Sequence, residues 1–333
     1  MQITQIRLTQ IFLIRTVFQI QTGKVYILLS YHFFMDSEIQ KKLIRAGKIA
    51  AQVRNEGAAK LAIPGTSFLT VMDYCEERIR KLGGEVAWAQ MAVNETAAHF
   101  CPTDDDQSVS KIGDVIKIDI GVHLDGYIAD TAMTVEVGST KYKEMIKAAQ
   151  NAVKAALKIA RPGTAYWELG EAQSSEAEAG GFTTVKNLSG HTLGQYKIHS
   201  GLNVPSYNNN DKTVLKENDV IAIEPFVTNG QGMIKEKGTA TIFMLVKEKG
   251  VRSPHARKIL EEIRPLNGLP FTTRWLTRKL GKGATALGLR ELLQSNIIRA
   301  YPPLVEVSGG IVAQAEHSVI IKDKPIVYTK SNE

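Results

Sequence analysis

Four carboxylates and one histidine stand out in this chain by where they fall. Asp119 and Asp130 lie eleven residues apart. Glu224 ends the run Asp219-Val220-Ile221-Ala222-Ile223-Glu224, which repeats Asp114-Val115-Ile116-Lys117-Ile118-Asp119 at a distance of 105 residues. Glu316 sits in the apolar stretch 310–321. His191 follows Ser189-Gly190 on the way into the second of the two runs, and His199 lies eight residues on. Four carboxylates with one imidazole make an oxygen-rich set, suited to Mn, Fe, Co or Zn rather than to a thiolate-seeking metal. A pair of such ions ~3.5–4 Å apart activates water at neutral pH and polarises a carbonyl, so the implied chemistry is hydrolysis.

Those side chains need elements to carry them. Residues 114–136 read as a β-hairpin with Asp125-Gly126 as a two-residue loop. Leu124 then pairs with Tyr127 and Asp119 with Ala132. Asp130 falls on the same face as Asp119, its diagonal neighbour ~7–8 Å away. The opposite face is an apolar stripe of Ile116, Ile118, Ile120, Val122 and Leu124. Two like charges this close repel unless one is protonated or a cation lies between them. Two aspartates at this spacing are, by themselves, more simply read as solvated groups on an exposed hairpin. The echo, with Glu224 and Glu316 on matching strands, favours a shared centre.

A second echo lies upstream of each run. Ala62-Ile63-Pro64-Gly65-Thr66 recurs as Ala160-Arg161-Pro162-Gly163-Thr164. An aromatic residue follows each copy (Phe68, Tyr166), and then Gly83-Gly84 or Gly180-Gly181. One supersecondary unit used twice explains this. Apolar spacing predicts helices over 37–59, 67–82, 141–160 and 165–179, with Asp36 or Ser37 capping the first. Strands are expected at 219–227, 239–248 and 304–321, together with a loop and strand region around 94–99. Three short helices near 255–264, 271–279 and 284–298 interrupt the second half. The fold class is α+β, two pseudo-symmetric αβ halves with a small helical insert.

The 333 residues, 44% hydrophobic and 23% charged, are those of a globular protein. Two cysteines, Cys75 and Cys101, are too few for a disulfide framework and read as half-buried thiols in a reducing, cytoplasmic setting. The net charge of +7 is unevenly placed: residues 1–34 hold +3 and residues 251–300 hold +7, leaving −3 for the rest. The leader 1–34 has no acid, and its apolar runs fall short of the ~20 residues that span a bilayer. It is expected to be non-native or disordered, with Met35 as the start of the body and no membrane association.

In this order, Asp119, Asp130, His191, Glu224 and Glu316 resemble the metal ligands of the methionine aminopeptidases. The likeness extends to Asn94-Glu95-Thr96-Ala97-Ala98-His99, to Gly190-His191 with His199, to Ile223-Glu224-Pro225-Phe226 and to Val312-Ala313-Gln314-Ala315-Glu316-His317. It covers about 36–330. The insert, at about 251–302, resembles that of the type II enzymes, and the short N-terminus that of archaeal members. The resemblance implies a pita-bread fold over 35–333 and two divalent ions. Asp119 would bind one ion, Asp130 and Glu316 would bridge, and His191 and Glu224 would complete the second. Glu224 would also shuttle a proton, while His99 and His199 would contact substrate and the tetrahedral intermediate. The substrate implied is the N-terminal methionine of a nascent chain with a small second residue, handled by a monomer. Three positions depart from the family: Ala87-Trp88 for Phe-Pro, Ala315 for an aromatic, and Cys101 for Thr. All three are expected near the methionine pocket.

Two other functions fit parts of the pattern. A prolidase or aminopeptidase P shares the five ligands but usually carries a large N-terminal domain. A non-catalytic pita-bread adaptor would bind RNA or the ribosome through basic surface, but such relatives have typically lost ligands. The basic insert is expected to be a lid over the pocket, with ribosomal RNA docking through Arg257, Lys258, Arg274, Arg278, Lys279 and Lys282 as the sharper reading.

Overall fold

The computed structural model describes residues 12–21, 24–33 and 35–331. Of the expected leader, residues 1–11, 22–23 and 34 lie outside the described residues. Phe12–Gln21 and Lys24–Phe33 pair antiparallel as a two-stranded sheet of their own.

The first half is built from helices α1 (Ser37–Leu61) and α2 (Phe68–Lys81) on a three-stranded antiparallel sheet. Asp36 caps α1 by accepting the Glu38 N–H at 2.9 Å, and Ser67 caps α2 through Thr70 at 3.3 Å. The sheet holds Glu85–Val93, Val115–Leu124 and Tyr127–Glu136. Its hairpin has the expected register, Leu124 opposite Tyr127 and Asp119 opposite Ala132. Asp125 and Gly126 both take positive φ, 52° and 82°, as a two-residue turn of this hand requires. Ile116, Ile118, Ile120 and Val122 are fully buried against α1 and α2, beside Met72, Cys75 and Ile79. Each such aliphatic side chain contributes ~1.5–3 kcal/mol by leaving water. Cys75 and Cys101 are wholly buried rather than half-buried, which pushes their thiols up to about 12 and about 11.

The second half repeats the plan. Helices α3 (Lys143–Ile159) and α4 (Tyr166–Ala179) close a second core over Ile221, Ile223, Val227, Ala313 and Val319. The expected strand 219–227 is broken: Val220–Ile223 and Phe226–Thr228 belong to different sheets. So is 304–321, which becomes Leu304–Glu306, Val312–Gln314 and His317–Ile320. The two breaks face each other. Ile223 pairs with His317 and Phe226 with Gln314, so Glu224-Pro225 and Ala315-Glu316 occupy one gap in the ladder. Pro225 has no N–H to give to a ladder, which favours the break there.

The halves are joined where Tyr127–Glu136 runs beside 312–320. Thr134 donates to the Gln314 carbonyl at 2.7 Å and accepts the Gln314 N–H at 2.7 Å. Thr131 donates to the Glu316 carbonyl at 2.9 Å, and the Glu316 N–H reaches the Ala132 carbonyl at 3.0 Å. Ser318 accepts the Asp130 N–H at 3.0 Å. The hairpin face bearing Asp119 and Asp130 is therefore covered by the other half and buried.

The insert has a core of its own, formed by α5 (Pro254–Ile263), α6 (Thr273–Leu280) and α7 (Lys282–Gln294). The last helix ends four residues before the expected 298, because Ile298–Tyr301 is a strand paired with Ile242–Leu245. Arg274 on α6 is completely buried. Its Nη2 bonds Glu76 of α2, its Nη1 donates to the Pro102 carbonyl at 3.0 Å, and its Nε lies 3.1 Å from Asp73 without hydrogen-bond geometry. Arg278 forks onto Asp73 at 2.9 and 2.8 Å and reaches Asp104 at 2.6 Å. Lys279 pairs with Glu262, and Lys282 with Asp105 at 2.9 Å. Four of the six residues expected to dock on RNA are thus engaged within the chain, and three of them fasten the insert to the first half. Among the described residues no helix is long and apolar enough to cross a membrane.

Candidate metal centre

Each carboxylate reaches the centre from a different element. Asp130 comes from the returning hairpin strand, and Glu224 and Glu316 from the paired strand breaks. His191 lies on Ser189–Thr192, hydrogen-bonded to Val220–Ile223 with Ala222 opposite His191. Asp130, His191 and Glu316 each offer a ligand atom within 4.8 Å of the others. His191 Nε2 is 3.3 Å from Glu224 Oε1 and 3.6 Å from Asp130 Oδ2. Asp130, His191 and Glu316 are 3%, 4% and 1% exposed. Among the described residues, Asp130 Oδ1 and both Glu316 carboxylate oxygens are buried with no hydrogen-bond partner. Unpartnered buried oxygens on crowded acids are costly unless something positive sits among them. The donor set, three carboxylates and an imidazole, fits a divalent cation.

Asp119 stands beside this group on different terms. Its Oδ1 accepts the Trp88 indole N–H at 2.7 Å and its Oδ2 the Gln90 amide at 2.7 Å. Both donors lie on Glu85–Val93, to which sequence reasoning assigned no element. A third strand beside the hairpin would have exposed Gln90, directly opposite Asp119, as a candidate. Arg54 was also missed, because it lies on the buried face of α1. Its Nη1 bonds the hydroxyl of Thr131, whose own proton goes to the Glu316 carbonyl. Burial lowers Arg54 to about 10, with Glu316 acting against that.

The electrostatics follow from burial. It pushes Asp119 up to about 7 and Glu224 up to about 8, and holds Asp130 and Glu316 well above the usual carboxylate range. The same burial lowers His191, His199 and His99 to about 4. A neutral imidazole keeps a lone pair free for a cation.

His199 packs edge-on against His191, ring centres 4.5 Å apart. His99 takes a left-handed φ of 64° after Thr96–Ala98 and meets Tyr301 edge-on at 5.5 Å. Both histidines, with Asp119, Asp130, His191 and Glu224, line a cavity of about 250 Å³. Its apolar wall is Trp88, Ile198, Phe226, Ile242, Met244 and, from the insert, Trp275. Of the three departures only Trp88 reaches this cavity. Ala315 packs in the second core, and Cys101 lies against Arg274 at 3.3 Å.

These shifts carry a pH dependence. Between the ordinary carboxylate value of 4.5 and about 8, Glu224 binds more proton in the folded than in the unfolded protein. Its contribution to stability is therefore present at low pH and lost as pH rises through about 8. The three lowered histidines act in the opposite sense, but only between about 4 and 6.5. Above 6.5 the site's carboxylates dominate, and a cation would replace the protons they release. The rise in melting temperature given by Mn2+ should thus grow from pH 6.5 to 8. Thermal shift at matched ionic strength checks this, and a rise that is flat or shrinks with pH would contradict it.

Comparison with known proteins gives the family. The sequence profile of metallopeptidase family M24 matches residues 41–256. A methionine aminopeptidase from Pyrococcus horikoshii is 45% identical over 291 residues, covering 86% of this chain and 98% of that protein. Among solved structures, a thermophilic Arx1 superposes with a TM-score of 0.79 at 16% identity, covering 90% of this chain and 92% of that one. A methionine aminopeptidase from Thermotoga maritima superposes at 0.64 with 22% identity, covering 90% and 98%. At those identities the two structures show the pita-bread fold alone. The length and identity of the sequence match show more: the chain belongs to metallopeptidase family M24, among its methionine aminopeptidases.

Proposed function

We propose that the protein removes the N-terminal methionine from peptides and nascent chains whose second residue is small, using divalent metal held at this centre. The observation that supports this best is the buried group Asp130, His191, Glu224 and Glu316, the first three of which line a cavity with an apolar wall. We infer that Asp119 would join these residues as a further ligand and that the set would hold two ions. Co, Mn, Fe and Zn all suit the donors. Bound metal would supply a Lewis acid that polarises the scissile carbonyl and makes water nucleophilic near neutral pH.

The chain's own groups would do the rest. Glu224, titrating near neutrality, would take a proton from the attacking water and return it to the leaving amine. His99 and His199, both uncharged at pH 7, would hydrogen-bond the peptide and the developing oxyanion. The apolar wall would take the flexible thioether, and the insert, through Trp275, would close one side against water.

The test is release of free amino acid from a small peptide panel. Met-Ala-Ser should be cleaved well, with norleucine in place of methionine tolerated. A methylene in such a pocket decides only ~1–3 kcal/mol. Strong preference for N-terminal leucine or for an X-Pro bond would reject the assignment and favour a prolidase-like enzyme.

A further inference from the structure

Trp88 is placed on Asp119 by three features of the chain. The first is a β-bulge. Val86 pairs with Val122, but the next pair is Trp88 with Gly121, so Ala87 is the extra residue. Without it, Ala87 would face Gly121 and Trp88 would point with Ile120 into the first core. Bulges re-aim side chains in this way. The second is Gly121. A Cβ there would lie 2.3–2.5 Å from three indole carbons, so only glycine lets the ring lie flat across the strand. The third is burial: Trp88 is 7% exposed and packs among Ile128, Leu193, Ile198 and Leu269. With the ring fixed, its N–H meets Asp119 Oδ1 at 2.7 Å while Gln90 holds Oδ2.

We propose that Trp88 is a positioning residue that competes with metal for Asp119. This rests on the metal-centre reading above. Each oxygen of Asp119 keeps a second lone pair for a cation, but each N–H draws electron density from the oxygen it bonds and sets a partial positive charge beside the ion. Among the described residues Asp130 Oδ1 and both Glu316 oxygens have no such donor, and Glu224 accepts only one, from Gln314 at 3.3 Å, so the cost falls mainly on the Asp119 side of the centre. The indole N–H therefore weakens the hold of Asp119 on an ion. Its loss should strengthen binding there, whereas a donor that merely orients a ligand would weaken binding when removed.

The experiment is calorimetric titration of metal-stripped protein with Mn2+, comparing wild type with Trp88→Phe, which keeps an aromatic ring and removes the N–H. The weaker of the two binding events should tighten roughly ten- to hundredfold, the worth of one hydrogen bond to a charged group. Unchanged or weaker binding in the variant overturns the proposal. Absence of Mn2+ binding in both proteins would instead overturn the metal-centre reading itself. Should the variant fail to fold, wild-type protein still decides. The chain has three tryptophans, and the Trp88 indole N–H resonance, assigned by elimination with Trp167→Phe and Trp275→Phe, can be followed by NMR as Zn2+ is added. A resonance that moves as the second equivalent binds supports competition, and one that stays fixed to saturation overturns it.

Discussion

Glu224→Gln should lower turnover of Met-Ala-Ser by at least ~10²–10⁴-fold, the usual worth of a positioned acid–base group. The substitution keeps the shape of the side chain and the strand break at Glu224-Pro225. It removes a carboxylate whose Oε1 is 3.3 Å from His191 and whose Oε2 accepts the Gln314 amide at 3.3 Å. Two functions would go together, a negative charge facing the cation and a proton carrier held near neutrality. KM should change far less than kcat, because the methionine side chain contacts the apolar wall and not this group. Steady-state release of methionine measures both constants. Turnover within tenfold of wild type would take Glu224 out of the reaction. The variant should also remain folded, since burial of an uncharged amide costs less than burial of a carboxylate.

Arg274→Ala is expected to destabilise the protein by about 3–5 kcal/mol, because removing one partner of a buried ion pair leaves the other charge unanswered. Glu76, only 4% exposed, would keep the Trp275 indole N–H at 2.8 Å as a neutral donor and lose its buried cation, with only the exposed Arg80 left at 3.9 Å. The Pro102 carbonyl and Asp73 would lose a donor and a charge as well. Denaturant unfolding with the linear slope checked against wild type gives the number. Trp275 also lines the cavity, so KM for peptide should rise as the insert loosens. A loss below ~1 kcal/mol would show that α6 is held by its apolar contacts alone.

Much of this was legible in the sequence. The hairpin register followed from Asp125-Gly126 and strict alternation, and the four helices of the two halves fell within a few residues of their apolar periodicity. What the sequence hid was tertiary. Val220–Ile223 and Phe226–Thr228 read as one apolar strand, because a break shared by two paired strands leaves no local mark except Pro225. Arg274 read as one of six basic residues suited to docking on RNA, since nothing in its neighbours announces Glu76, nearly two hundred positions away. Trp88 read as a departure near the methionine pocket. Its contact with Asp119 depends on a one-residue bulge at Ala87 that no spacing rule anticipates. The five residues singled out by the echo do come close together, but Asp119 arrives already hydrogen-bonded on both oxygens.

The most direct measurement follows methionine release from Met-Ala-Ser by one preparation taken through three states: as purified, stripped with chelator, and reloaded with Co2+ or Mn2+. The expected result is activity that disappears with the metal, returns on reloading, and saturates at no more than two ions per chain. Release that continues at full rate in the stripped protein, or a reloaded protein that binds metal and leaves the peptide intact, would contradict the metal-dependent removal of methionine at this centre.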